Sequence, residues 1–216
     1  MALTKGSIAQ LYQKRADWYN VSANAYYILG FREFAYRKKA VRALELHPGD
    51  TVVELGCGTG LNFELLRRQI GPQGRIVGVD LTEKMLEKAN QRIQRNQWSN
   101  VSLVQSDAAL YEFPRPVNGI ISTFALTLVP EYDAVIRRAA KALVPGGRMV
   151  ILDFKMPAGW PMWLIRTFAQ LTRPFGVTMD LGERHLWESI GHHLDMVAFE
   201  ELYFGSIYIC AGRAAE

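Results

Sequence analysis

The sequence predicts a three-layer α/β fold, a mostly parallel sheet covered on both faces by helices. Three observations carry this expectation. Apolar runs rich in β-branched residues alternate with stretches whose apolar residues recur at helical spacing, an order that implies right-handed βαβ crossovers. A glycine-rich turn, Gly56-Cys57-Gly58-Thr59-Gly60, follows the first of these runs, Val52-Val53-Glu54-Leu55. Two β-rich segments close the chain, and ligands of such sheets gather at the C-terminal ends of the strands.

In order along the chain, Ile8–Tyr19 and Arg32–Leu46 read as helices, the second with Phe34, Val41 and Leu44 on one side and its cations on another. His47-Pro48-Gly49-Asp50 stops it. Strands are expected at Thr51–Leu55, Arg75–Val79, Val101–Gln105, Val117–Ser122 and Arg148–Phe154, each bounded by Gly, Pro, Asn or Asp. Leu61–Ile70, Glu83–Arg95 and Tyr132–Leu143 carry apolar residues at helical spacing, and the last stops at Pro145-Gly146-Gly147. Met196–Phe204 and Ser206–Gly212, separated by Gly205, read as a hairpin.

A chain of 216 residues suits one well-buried domain with room for a lid. With 49% hydrophobic and 21% charged residues it has the composition of a folded globular protein, which excludes disordered and collagen-like classes. Cys57 and Cys210 form neither a disulfide framework nor a metal-ligand cluster, so a reducing, cytoplasmic setting is expected. Met1 to Leu11 lacks a signal-peptide core, and Gly119 to Val129 falls short of the roughly 18 apolar residues of a membrane span. Residues 1 to 46 hold eight Lys or Arg against Asp17, Glu33 and Glu45, a bias read here as a solvated face.

The glycine turn is the chemically informative motif. Its glycines permit positive φ and close approach of a ligand, and the amides at the start of the following helix suggest an electropositive cradle. A dinucleotide fingerprint would need glycine at the sixth position from Gly56, where Leu61 stands, and no Gly-Lys-Ser/Thr marks a P-loop. The stretch Val52 to Gly60 resembles the S-adenosyl-L-methionine (AdoMet) motif of class I methyltransferases, and the resemblance covers about residues 48 to 213. It implies a Rossmann-like methyltransferase fold, a seven-stranded sheet closed by an antiparallel C-terminal hairpin, with a helical lid.

On that resemblance, Gly56, Cys57, Gly58, Thr59 and Gly60 form the cofactor turn, and Glu54 lies near the methionine end. Asp80, ending Val77-Gly78-Val79-Asp80 twenty residues beyond Gly60, would accept the ribose hydroxyls; read alone, it could equally cap the next helix. Asp107 with Ala108 matches the position that meets the adenine amino group, with Leu81 and Met85 as apolar cover. Thr123 opens the segment Ser122 to Glu131 that borders the methyl donor, and Thr127 stands where many relatives carry histidine. The Tyr12-x6-Tyr19 start and Leu152-Asp153-Phe154-Lys155-Met156-Pro157 are similar to the branch of quinone C-methyltransferases and bacterial phosphatidylethanolamine N-methyltransferases. There Tyr12 and Tyr19 would close the cofactor pocket, and Asp153 and Lys155 would lie along the substrate's path.

Because the sulfonium of AdoMet supplies a reactive methyl and a good leaving group, such an enzyme needs chiefly alignment and exclusion of water. No catalytic residue is assigned and no metal is expected: His47, His185, His192 and His193 are scattered. Tyr26, Tyr27, Trp160, Trp163 and His185 complete the substrate candidates, drawn from two aromatic-rich stretches that as a set suggest an apolar pocket. The expected division is a single domain over 1–216: an N-terminal helical lid at 1–47, the cofactor core at 48–155, a lid insertion at 156–195 and the hairpin at 196–213. Trp160, Trp163, Leu164, Phe168 and Leu171 form a helical stripe beside Arg166 and Arg173, suited either to packing as a lid or to peripheral docking on an anionic membrane. The acceptor is expected to be an amphiphilic or apolar small molecule, a lipid headgroup amine first and a quinone ring or another C/O acceptor next. Nucleic acid is disfavoured, since Ser122-Thr123-Phe124-Ala125 replaces the Asn/Asp-Pro-Pro-Tyr/Phe of amino-directed enzymes. A module that binds AdoMet without transfer is the alternative of another class.

Overall fold

The computed structural model describes residues 31–157, 159–161 and 184–215. The helix expected at 8–19, the candidates Tyr12, Tyr19, Tyr26, Tyr27 and Trp163, and the stripe beyond Trp160 lie outside the described residues. The elements are α1 (Glu33–Ala43), β1 (Thr51–Leu55), α2 (Phe63–Ile70), β2 (Arg75–Asp80), α3 (Glu83–Arg95), β3 (Val101–Gln105), β4 (Val117–Thr123), α4 (Tyr132–Ala142), β5 (Leu143–Phe154), α5 (Leu186–His193), β6 (Asp195–Leu202) and β7 (Ile207–Arg213).

Seven strands form one sheet in the order β3-β2-β1-β4-β5-β7-β6. The first five pair in parallel, and β7 runs antiparallel to both β5 and β6. The chain leaves β1 toward β2 on one side and returns to β4 on the other, and this reversal opens a crevice at the strand ends. Alternation along each strand divides the core between the two faces. Val52, Ile76, Ile121 and Val150 pack against α1, α2 and α3, while Val53, Val77, Ile120 and Met149 pack against α4 and α5. Among the described residues no helix is long and apolar enough to cross a membrane.

Three departures from expectation bear on the fold. Helix α1 ends at Ala43, because Glu45 turns to φ +50° ahead of the Pro-Gly stop. Strand β5 starts at Leu143, which pairs with Val117 before the register shifts at Gly119; Pro145-Gly146-Gly147 is therefore an irregularity within a strand. The hairpin turn is wider than Gly205 alone, since Tyr203 and Phe204 also leave the ladder, at φ +46° and +56°. Helix α5, with Leu186 and Ile190 fully buried, fills the far face beside α4.

Candidate functional site

The crevice is a cleft of about 1020 Å³, open mouth included, at the C-terminal ends of β1 to β4. Its floor is the glycine turn. Gly56 sits at φ +66°, and a Cβ there would lie 2.2 Å from the Cβ of Ala125; at Gly60, φ +74°, it would lie 2.5 Å from the Phe63 ring. These two glycines are required by packing. Gly58, at φ +53°, has no atom within 4 Å of such a Cβ and lines the cleft. It keeps the backbone open to a ligand.

The turn does not present a row of unused amides. Cys57 N–H bonds Val79 O at 3.0 Å, Gly60 N–H bonds Cys57 O at 2.9 Å, and Gly58 N–H donates to Asp80 Oδ2 at 2.8 Å. Local bonds that hold the turn use these three donors. Asp80 Oδ1 also accepts from Thr82 N–H at 2.8 Å. Burial raises the Asp80 pKa, against the lowering effect of the Thr82 and Gly58 amides. Asp80 therefore joins the turn to the start of α3 while facing the cleft.

Beyond Asp80, Leu81 and Met85 form an apolar wall with Ala108, and Asp107 stands beside it. Asp107 Oδ1 accepts from Ala109 N–H at 2.8 Å, which orients the carboxylate. Cys57 and Thr59 line the cleft and are nearly buried. Burial holds the Cys57 thiol well above its ordinary pKa.

On the β4 side lies a buried polar cluster. Asn62 Nδ2 donates to Glu54 Oε1 at 2.7 Å and to Thr123 Oγ1 at 3.0 Å; Arg37 Nη1 donates to Thr123 Oγ1 at 2.5 Å. Arg37 Nε reaches Glu33 Oε1 at 2.8 Å. Glu54 is 1% exposed, and its Oε2 has no hydrogen-bond partner among the described residues. Burial pushes the Glu54 pKa up to about 8, opposed by the Arg37 charge and the Asn62 bond. Arg37, one of the N-terminal cations expected on a solvated face, is buried and lines the cleft. The signal was present in the sequence, for Arg37, Ala40, Val41 and Leu44 share one buried helical face.

The acceptor candidates that are described lie elsewhere. Asp153 is fully buried and absent from the cleft wall; its carboxylate accepts from the amides of Thr127 and Phe154 at 3.0 and 2.9 Å, and burial raises its pKa to about 7. Its place on a substrate path is corrected: alternation along β5 turns it to the face of Ile151, under the turn that carries Leu126 and Leu128. Lys155 pairs with Glu201 and sits 5.4 Å over the Trp187 ring, and His185 stacks on Trp187 at 4.6 Å while bonded to Glu188. Neither these two nor the half-buried Trp160 line the cleft. An aromatic wall replaces them. Phe124, at φ +56°, lines the cleft and touches Phe154 at 5.0 Å and Phe31 at 6.0 Å, and Phe31 meets Tyr203 at 5.5 Å. No group of three or more metal-ligating side chains occurs among the described residues.

Comparison with known proteins matches residues 46–180 to a family described as a methyltransferase domain. The chain is 34% identical to the 2-phytyl-1,4-naphtoquinone methyltransferase of Thermosynechococcus vestitus, over 72% of this chain and 70% of that one. It is 30% identical to the demethylmenaquinone methyltransferase of Lactobacillus johnsonii, over 67% of this chain and 62% of that one, so it spans about three fifths of that relative. Among solved structures, the N-methyltransferase NodS of Bradyrhizobium japonicum, crystallised with S-adenosyl-L-homocysteine, superposes with a TM-score of 0.68 at 16% identity, covering 97% of this chain and 99% of that one. At that identity the likeness concerns the fold.

Proposed function

The chain belongs to the methyltransferase-domain family and uses AdoMet, and from that premise we propose that it methylates a ring carbon of a quinol-type apolar small molecule. The residues fit the cofactor. Gly58 leaves space where any side chain would project, Asp80 and Asp107 stand beside an apolar wall suited to an adenosine, and Glu54 holds an unsatisfied buried oxygen below the β4 end. When bound, AdoMet supplies the electrophilic methyl and carries away the bonding electron pair as a neutral thioether.

What this chain adds is placement and dryness. The glycine turn and Asp80 hold the nucleoside, while Leu126, Leu128 and Val129 exclude water on the β4 side. Phe124 continues that wall into Phe154, Phe31 and Tyr203, and this aromatic surface next to the cleft is the observation that carries the acceptor reading. A flat ring stacks on such a surface with its face toward the cleft. The proton displaced from the ring carbon needs no fixed base of high basicity, because water at the cleft mouth can take it. The names of the two quinone-directed relatives point the same way. Access to an acceptor dissolved in a bilayer would come from peripheral docking of the stretch that begins at Trp160.

Labelled methyl transfer tests the reading. The protein is incubated with methyl-labelled AdoMet and, separately, a demethylated naphthoquinol in detergent, phosphatidylethanolamine vesicles and RNA. Label in the naphthoquinol supports the proposal. Label in phosphatidylethanolamine alone moves the acceptor to a headgroup amine, and AdoMet binding with no transfer to any acceptor favours a binding module.

A further inference from the structure

The loop that follows β3 is held from outside the cleft by a side chain of α4. Arg138, half-buried within that helix, donates through Nη2 to Ala108 O at 3.1 Å and to Ala109 O at 2.5 Å. Asp107 and Ala108 line the cleft, whereas Arg138 stands behind them. Resting on the cofactor reading above, with Asp107 as acceptor of the adenine amino group, we propose that Arg138 is a positioning residue. It fixes the Asp107 carboxylate and thereby sets the preference of the cleft for a 6-aminopurine over a 6-oxopurine.

Two of the bonds meet on one peptide unit. Its carbonyl, Ala108 O, accepts from the guanidinium, and its amide, Ala109 N–H, donates to Asp107 Oδ1 at 2.8 Å. A cation at the carbonyl end polarises the peptide, so that its N–H binds a carboxylate more strongly and each bond of the chain reinforces the next. The backbone closes into a turn at the same place, since Leu110 N–H donates to Asp107 O at 2.9 Å. That turn lies at the surface, with Leu110 78% exposed, while α4 is anchored by Val135, Ala139 and Ala142 on its buried face. Arg138 therefore ties an exposed turn to a buried helix. A carboxylate already held in place accepts a purine N–H without first losing rotamer freedom. A 6-oxo group offers it an acceptor where a donor is needed.

Calorimetry with two ligands tests the assignment: S-adenosyl-L-homocysteine and S-inosyl-L-homocysteine, in which oxygen replaces the purine 6-amino group. The wild type is expected to favour the adenosyl form by about tenfold to a hundredfold. In Arg138→Met that ratio should fall toward one, chiefly through weaker binding of the adenosyl form, and Arg138→Lys should recover part of it. Arg138→Gln, too short to reach both carbonyls, should also lower the ratio and carries the test if Arg138→Met does not fold. A wild-type ratio in either folded neutral variant overturns the proposal, as does an equal weakening of both ligands, which would mark a purely structural tie. Equal wild-type affinity for the two ligands overturns it without any variant. Asp107→Asn separates the two residues: if it lowers the ratio and Arg138→Met does not, Asp107 keeps its role and the proposal for Arg138 falls. If the folded wild type binds neither ligand, the cofactor reading itself fails and the proposal with it.

Discussion

Asp153, at the end of β5, accepts a hydrogen bond from the backbone amide of Thr127 at 3.0 Å across a site that solvent does not reach. The bond anchors the short turn Leu126–Leu128, whose outer residues wall the cleft. Asp153 therefore acts on the site through Thr127.

Asp153→Ala should leave the buried amide of Thr127 and the partly buried amide of Phe154 without their Asp153 acceptor. The expected loss is about 1–3 kcal/mol of stability for each orphaned group. Asp153→Asn, which keeps one carbonyl oxygen, should fall between the wild type and the Ala variant. Urea denaturation of the three proteins checks the order, and an Asn variant weaker than Ala would contradict it.

Gly56 and Gly58 should respond differently to substitution. Gly56→Ala drives a methyl to 2.2 Å from Ala125 at positive φ, an overpacking that should cost about 1–3 kcal/mol. Gly58→Val meets no neighbour within 4 Å, so its stability loss should be confined to the cost of positive φ, about 1–2 kcal/mol. Its side chain fills ligand space, however, and S-adenosyl-L-homocysteine binding should drop below detection. Denaturation and calorimetry on both variants separate the two effects; normal binding by folded Gly58→Val would remove the ligand from this turn.

Glu54 should make the protein less stable as pH rises. Its folded pKa of about 8 lies above the ordinary 4.5, so between these values the folded state holds a proton that the unfolded chain has released. Stability is fully retained below pH 4.5 and is lost up to about pH 8, with a slope approaching about 1.4 kcal/mol per unit. Asp153, raised to about 7, adds a loss of the same sign over a narrower window. Glu54→Gln should flatten the Tm profile between pH 5 and 8, and an unaltered profile in that variant would contradict the assignment.

The layer order, the sheet direction and the cleft floor could be read from strand and helix periods, because each βαβ unit is a local pattern with its breakers in place. Arg37 could have been found the same way, from its spacing to Ala40, Val41 and Leu44. The role of Asp153 could not: alternation along β5 indicates its face, but its partner is the amide of Thr127, brought there by a turn with no sequence signature. The positive φ of Phe124, Tyr203 and Phe204 was not legible for a related reason, since aromatic residues seldom adopt it; at Tyr203 and Phe204 it belongs to the hairpin turn, in which Gly205 N–H bonds Leu202 O and Ser206 N–H bonds Tyr203 O. The pairing of the Cys57 and Gly58 amides was equally hidden, as their acceptors, Val79 O and Asp80, come from another strand.

The central claim, that the cleft between β1, β2 and β4 is the AdoMet site, is tested most directly by titrating S-adenosyl-L-homocysteine into wild-type protein and Asp80→Ala. Asp80 ties the turn at Gly58 to the start of α3 and faces the cleft, so its loss removes the brace of the floor and, on the proposed reading, the acceptor for the ribose hydroxyls. Calorimetry should show affinity weakened about tenfold to a hundredfold in a variant that remains folded. Wild-type affinity in folded Asp80→Ala would contradict the account.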